Sequence, residues 1–123
     1  MGETILIIED NEQNLYLMRF LLEKNGFSVA EATDGEKGVK MAKETRPHII
    51  LLDIQLPEMD GYAVARELRS DTSLNGIPII AVTSYAMVGD RERAIEAGAD
   101  GYIEKPINPE KFVEQIRLYI NSR

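Results

Sequence analysis

The 123-residue sequence has no cysteine, one histidine and fewer basic than acidic residues, 14 Lys and Arg against 21 Asp and Glu. Without cysteine there is no disulfide framework, which fits a reducing cytoplasm. The net charge of −7, with no block of like charge, argues against nonspecific nucleic-acid binding, because that affinity comes from Lys and Arg neutralising phosphates. No apolar run approaches the roughly 20 residues that a membrane helix needs. The opening MGETILIIED carries acid where a basic leader would stand, so no signal peptide is expected, and Leu6 occupies the place where a myristoylation site wants Ser or Thr. The single histidine, His48, begins an apolar run and lacks the partners that a metal or relay site needs, so it is assigned to structure.

What is present is one domain's worth of chain, residues 1–123, with 44% hydrophobic and 28% charged content. Short apolar runs alternate five times with stretches of helical period, the pattern of parallel βα units. The predicted strands are Thr4 to Glu9, Ser28 to Ala32, His48 to Asp53, Ile77 to Thr83 and Gly101 to Glu104, the second being the weakest and expected at an edge. Between them, Leu15, Met18 and Leu22 recur at helical spacing, as do Val39 with Ala42, Val64 with Leu68, Ala94 with Ala97, and Phe112 with Ile116 and Tyr119. These stripes are read as core. Asp34 and Asn108 suit N-caps, Pro109 a first helical turn, and Gly26 and Gly98 helix C-termini. The predicted fold is an α/β, doubly wound, five-stranded parallel sheet with five helices on both faces, and ligands of such sheets sit outside the carboxyl ends of the strands.

Those strand ends carry the chemistry. The run IILLDIQLPEMDG buries four aliphatic residues and then ends on a carboxylate, Asp53, which is costly there unless something pairs with it. Strand one ends in Glu9 and Asp10, strand four in Thr83, and strand five in Lys105. If the strand order is 2-1-3-4-5, three carboxylates converge. Two unit charges about 4 Å apart repel by roughly 4 kcal/mol at an effective dielectric of 20, so a third needs a cation or a proton. Mg²⁺, held by carboxylates and water, relieves it, with Mn²⁺ an acceptable substitute. Acids, a lysine, a hydroxyl and a metal are the parts that stabilise phosphoryl oxygens in transfer, with Asp53 as the nucleophile that becomes an aspartyl phosphate. Taken singly, Asp10 could begin a helix and Thr83 could merely form strand.

Taken together, LIIEDN with Glu9 and Asp10, LLDIQLPEMDG with Asp53, Pro57, Met59, Asp60 and Gly61, IIAVTSYA with Thr83, and GYIEKP with Lys105 resemble the receiver domains of two-component response regulators over essentially the whole chain. The segment AMVGDRERAIEAGADGYIEKP resembles receivers of hybrid kinases and small stand-alone regulators of the DivK type. The resemblance implies a flavodoxin-like, CheY-like fold. It implies that Asp53 accepts a phosphoryl group from a sensor histidine kinase or phosphotransfer protein. Asp10, Asp53 and the backbone carbonyl of Gln55 would ligate Mg²⁺, with Glu9 acting through water. Thr83 and Lys105 would each take a phosphoryl oxygen, Tyr102 would be the aromatic switch, and the Lys105–Pro106 bond would be cis. Gln55 and Tyr85 would line the approach of hydrolytic water, with Tyr85 shielding the phosphate, while Ser84 is small enough to admit it. Pro57, Asp60 and Gly61 are assigned to the loop and the third helix, and Met87, Val88 and Gly89 to the opening of the fourth.

The resemblance further implies a read-out face on the fourth helix, fifth strand and fifth helix, centred near Tyr102 and Ile107, and a kinase-facing surface on the first helix with Gln13, Asn14 and Tyr16. A cytoplasmic phosphorelay protein is expected, monomeric or weakly dimeric when phosphorylated, without membrane or nucleic-acid partners. It would not be an enzyme beyond its own phosphorylation and slow autodephosphorylation. No effector domain is expected after Arg123. The chain departs from the family in having Glu then Asp where Asp then Asp is commonest. A phosphohydrolase resembling the haloacid dehalogenase group would want Asp where Gln55 stands; a flavin carrier would want a hydroxyl-rich loop after strand one; a pseudo-receiver would not need Asp53, Thr83 and Lys105 together.

Overall fold

Aliphatic side chains on both faces make the inner strands of the sheet. A computed structural model of the protein describes residues 2–56, 60–83 and 89–121. It contains β1 (Thr4–Ile8), α1 (Glu12–Lys24), β2 (Ser28–Ala32), α2 (Gly35–Thr45), β3 (Ile49–Asp53), α3 (Gly61–Ser70), β4 (Ile79–Thr83), α4 (Asp90–Ala97), β5 (Gly101–Glu104) and α5 (Pro109–Asn121), with a 3-10 turn at Thr72–Leu74. The strands are parallel in the order β2-β1-β3-β4-β5, so β2 lies at an edge as expected. It is also the most exposed of the strands flanking β1, while β3 and β4 are buried along their whole length.

The sheet's period of two divides the core. Leu6, Ile8, Ile50 and Leu52 pack with Val39, Ala42, Val64, Leu68, Ala94 and Ala97 on the α2, α3 and α4 side. Ile5, Ile7, Ile49 and Leu51 pack with Leu15, Met18, Leu22, Phe112 and Ile116 on the α1 and α5 side. All five predicted helical stripes face one of these two layers, with Tyr119 half-buried at the edge of the second. A one-residue slip of any inner strand would exchange the layers, so register is fixed by packing on both sides.

Helix ends follow local chemistry. Asp34 accepts from the Lys37 amide at 2.8 Å and Asn11 from the Asn14 amide at 2.9 Å, which caps α2 and α1. Asn108 accepts from the Glu110 amide at 3.0 Å. At Gly98, φ is +117° and the helix α4 closes through backbone bonds to Ala94 and Ile95. Three predicted strands are shorter than expected. Pro78 has no N–H for the ladder, so β4 starts at Ile79 while the Pro78 carbonyl still accepts from Ile50 at 2.9 Å. Glu9 and His48 each add one ladder bond, to Ala32 and Thr4, where the chain is already turning away. No helix among the described residues is long and apolar enough to cross a membrane.

Candidate functional site

Because β1 and β3 are neighbours, the residues that follow them share one crevice at the point where strand order reverses. Asp53 is the last residue of β3 and is 3% exposed; its Oδ1 accepts from the Gln55 amide at 2.9 Å. Glu9, the first residue past β1, is 1% exposed, and its Oε2 accepts from the Asn11 amide at 3.2 Å. Asp10 beside it is exposed. One carboxylate oxygen from each of Glu9, Asp10 and Asp53 lies within 4.8 Å of the others. The predicted acidic triad is therefore assembled.

Lys105 enters from the other side. Its amide donates to the Thr83 carbonyl at 2.8 Å, which extends the β4–β5 ladder by one bond and sets the lysine beside the end of β4. Its Nζ is 2.7 Å from Glu9 Oε1 and 3.6 Å from Asp53 Oδ2. The Lys105–Pro106 peptide is cis, as expected. Thr83, closing β4, is 3% exposed.

The electrostatics are under-compensated, with three carboxylates facing one ammonium. Burial pushes the Glu9 carboxyl up to about 7; the neighbouring Asp53 carboxylate adds to this, and Lys105 opposes it. Glu9 Oε1 is buried and faces the Lys105 ammonium at 2.7 Å, a charge that Asp53 Oδ2 shares at 3.6 Å. Three clustered carboxylates sharing one lysine fit a hard divalent cation with oxygen ligands.

The loop after β3 is held down by Gly61. A Cβ there would collide with the Ile54 backbone and stand 2.7 Å from the carbonyl oxygen of Asp53, and the Gly61 amide donates to the Ile54 carbonyl at 3.0 Å. Asp60 caps α3 by accepting from the Tyr62 amide at 2.8 Å. The structural assignment of both residues holds.

Other predicted residues lie off the crevice. Tyr102 is half-buried on β5, paired with Ala81. Gln13 and Tyr16 are exposed on α1 and Asn14 is half-exposed. Ile107 is 7% exposed and packs with Phe112 in the α5-side layer, so its side chain offers little area to a partner. His48 Nδ1 accepts from the Thr4 amide at 2.9 Å at the opposite end of the sheet, a structural bond. Gly89 stands just ahead of α4. Pro57, Met59, Ser84, Tyr85, Met87 and Val88 lie outside the described residues.

Two features had no sequence signal. Lys105 is nearer Glu9 than Asp53, a pairing between opposite ends of the chain. Arg69 on α3 donates to the carbonyls of Gly98, Leu74 and Ile77 at 2.9, 3.1 and 2.9 Å and pairs with Asp100, which itself accepts from the Ile79 amide. Only an i to i+29 spacing links Arg69 to Gly98, and no local pattern encodes it.

Fold and crevice define a class, the doubly wound α/β domain with a carboxylate cluster and a lysine at its strand switch point. A family model of the response regulator receiver domain matches residues 5–117. The chain belongs to that family, whose members are the receivers of two-component signalling. It is 43% identical over 122 residues to the polar-differentiation response regulator DivK of Brucella anthropi, covering 99% of each chain. A CheY-like receiver domain protein of Methanospirillum hungatei JF-1 is similar at 30% identity and TM-score 0.90, over 99% of this chain and 96% of that one. The receiver domain of a sensor histidine kinase from Pseudomonas aeruginosa PAO1, solved with magnesium coordinated in the active-site cleft, is 35% identical with TM-score 0.90, over 98% of this chain and 99% of that one.

Proposed function

We propose that the protein is a phosphorelay receiver that takes a phosphoryl group from a histidine kinase or phosphotransfer protein onto Asp53 and thereby changes its protein contacts. The observation that carries this reading is the placement of a buried carboxylate within 4.8 Å of two others and 3.6 Å from a lysine. An Asp53 carboxylate oxygen attacks phosphorus, an O–P bond forms, and the N–P bond of the donor phosphohistidine breaks with its electron pair returning to the imidazole nitrogen.

The donor set of Asp10, Asp53 and the Gln55 carbonyl, with Glu9 through water, suits Mg²⁺ or Mn²⁺. Support comes from the three clustered carboxylates sharing one lysine and from the magnesium in the Pseudomonas relative's cleft. Bound there, the ion would neutralise negative charge on the phosphoryl oxygens. Lys105 would then trade part of its contact with Glu9 for a phosphoryl oxygen, and the Thr83 hydroxyl would donate to another. Tyr102 would turn inward as Thr83 engages. Gln55 and Tyr85 would set how readily water reaches the aspartyl phosphate.

The protein would turn over no substrate other than this group, act in the cytoplasm as a monomer or weak phosphorylation-dependent dimer, and require neither nucleic acid nor membrane. The kinase side would meet α1, where Tyr16 and Phe20 stand exposed with their rings 6.2 Å apart. The downstream protein would meet α4, β5 and α5. Incubation with Mg²⁺ and acetyl phosphate should add one phosphate mass, and Asp53→Ala should abolish it. Sustained release of phosphate from many substrates would instead make the protein a hydrolase.

A further inference from the structure

Among the described residues, the two ends of helix α4 are held by different kinds of contact. Among its described side chains the buried ones are two alanines, Ala94 and Ala97, which contribute little apolar burial. Its C-terminus is tied by backbone bonds from Gly98 and Ala99 and by Arg69, whose Nε donates to the Gly98 carbonyl at 2.9 Å. Its N-cap, Gly89, supplies no side-chain hydrogen bond. Towards that end, two arginines lie on aromatic rings of neighbouring elements: Arg93 over Tyr62 of α3 at 4.3 Å, and Arg91 over Tyr102 of β5 at 5.5 Å.

The second contact involves the residue that the proposed function makes the switch, and the inference rests on that reading. We propose that Arg91 is a positioning residue that holds the Tyr102 ring in its half-buried resting place and so opposes the phosphorylated state. The guanidinium is attracted to the face of the ring, and a ring that turns inward leaves that contact. Arg91 and Tyr102 also line one shallow depression with Glu104 and Lys111, so the same stack belongs to the α4, β5 and α5 face. Arg93 serves as an internal comparison, because it rests on a different ring and is equally part of α4. An exposed cation–π contact favours the resting state by about two- to fivefold. By linkage, removing it should strengthen binding of a phosphoryl mimic by up to the same factor.

The test uses the full chain with 3-fluorotyrosine, assigning Tyr102 by its loss in Tyr102→Phe. In Arg91→Met, which keeps a side chain over the ring but removes its charge, the solvent isotope shift of the Tyr102 fluorine should fall without added ligand, because a released ring spends more time inside. If Arg91 only covers the ring, the shift should stay as in wild type, and no change or a rise overturns the proposal. With Mg²⁺ and beryllofluoride, Arg91→Ala should bind the mimic up to about two- to fivefold more tightly, while Arg93→Ala should not. The gain should vanish in a Tyr102→Leu background, and the same gain there would mean that Arg91 acts through charge alone and would overturn the ring mechanism. Failure of the Asp53 reading has its own signature, equal beryllofluoride binding by wild type and Asp53→Ala, and the ligand-free fluorine signal decides the clamp regardless.

Discussion

Glu9 is the residue where burial and charge conflict most sharply. Its ordinary value is 4.5, whereas burial and Asp53 push it up to about 7 against the pull of Lys105. Between those values the folded, metal-free protein holds a proton that the unfolded chain has released. Stability from this group is therefore complete below about 4.5 and is lost as pH rises through about 7. Thermal melts in chelator should show the midpoint falling across that window, and Glu9→Gln, which cannot titrate, should flatten the slope. An unchanged slope would remove Glu9 as its source. Asp53 was legible in the sequence because a charge ends a buried aliphatic run. The Glu9–Lys105 contact was not, because only the fold brings residues from the two ends of the chain to 2.7 Å.

At the scale of elements, periodicity located the five strands and five α-helices of the described residues, because each inner strand is buried on both faces and each helix on one stripe, but it gave no sign of the 3-10 turn at Thr72–Leu74. The misplaced ends have local causes, such as the missing N–H of Pro78 at the start of β4. The loop after β3 depends on the missing side chain of Gly61, which sequence reasoning took as a helix opener without seeing the backbone pressed against it. A Cβ there meets backbone, which cannot yield as a flexible side chain would. Gly61→Ala should cost about 1–3 kcal/mol in urea unfolding, the usual range for overpacking. It should also slow phosphorylation by acetyl phosphate, because relief of the clash moves the Asp53 and Ile54 backbone. Loss of stability with an unchanged rate would show that the loop yields away from the carboxylate.

At the scale of the molecule, the acidic crevice is one part of a surplus of −7. Any salt should stabilise such a chain modestly by screening its self-repulsion, so a bare rise in melting temperature with MgCl₂ proves nothing about the site. The informative quantity is the difference between MgCl₂ and NaCl at matched ionic strength. A cation that binds only the folded chain adds about 1.4 kcal/mol at ten times its dissociation constant and about 2.7 kcal/mol at a hundred times. Asp10→Asn and Asp53→Ala should each erase most of that difference while leaving the NaCl response intact. The excess should also shrink from pH 8 to pH 5.5, because Glu9, raised to about 7, must give up its proton for the cluster to carry its full charge. An excess that survives both substitutions would place the cation elsewhere on the acidic surface and leave the three carboxylates to be balanced by Lys105 and a proton.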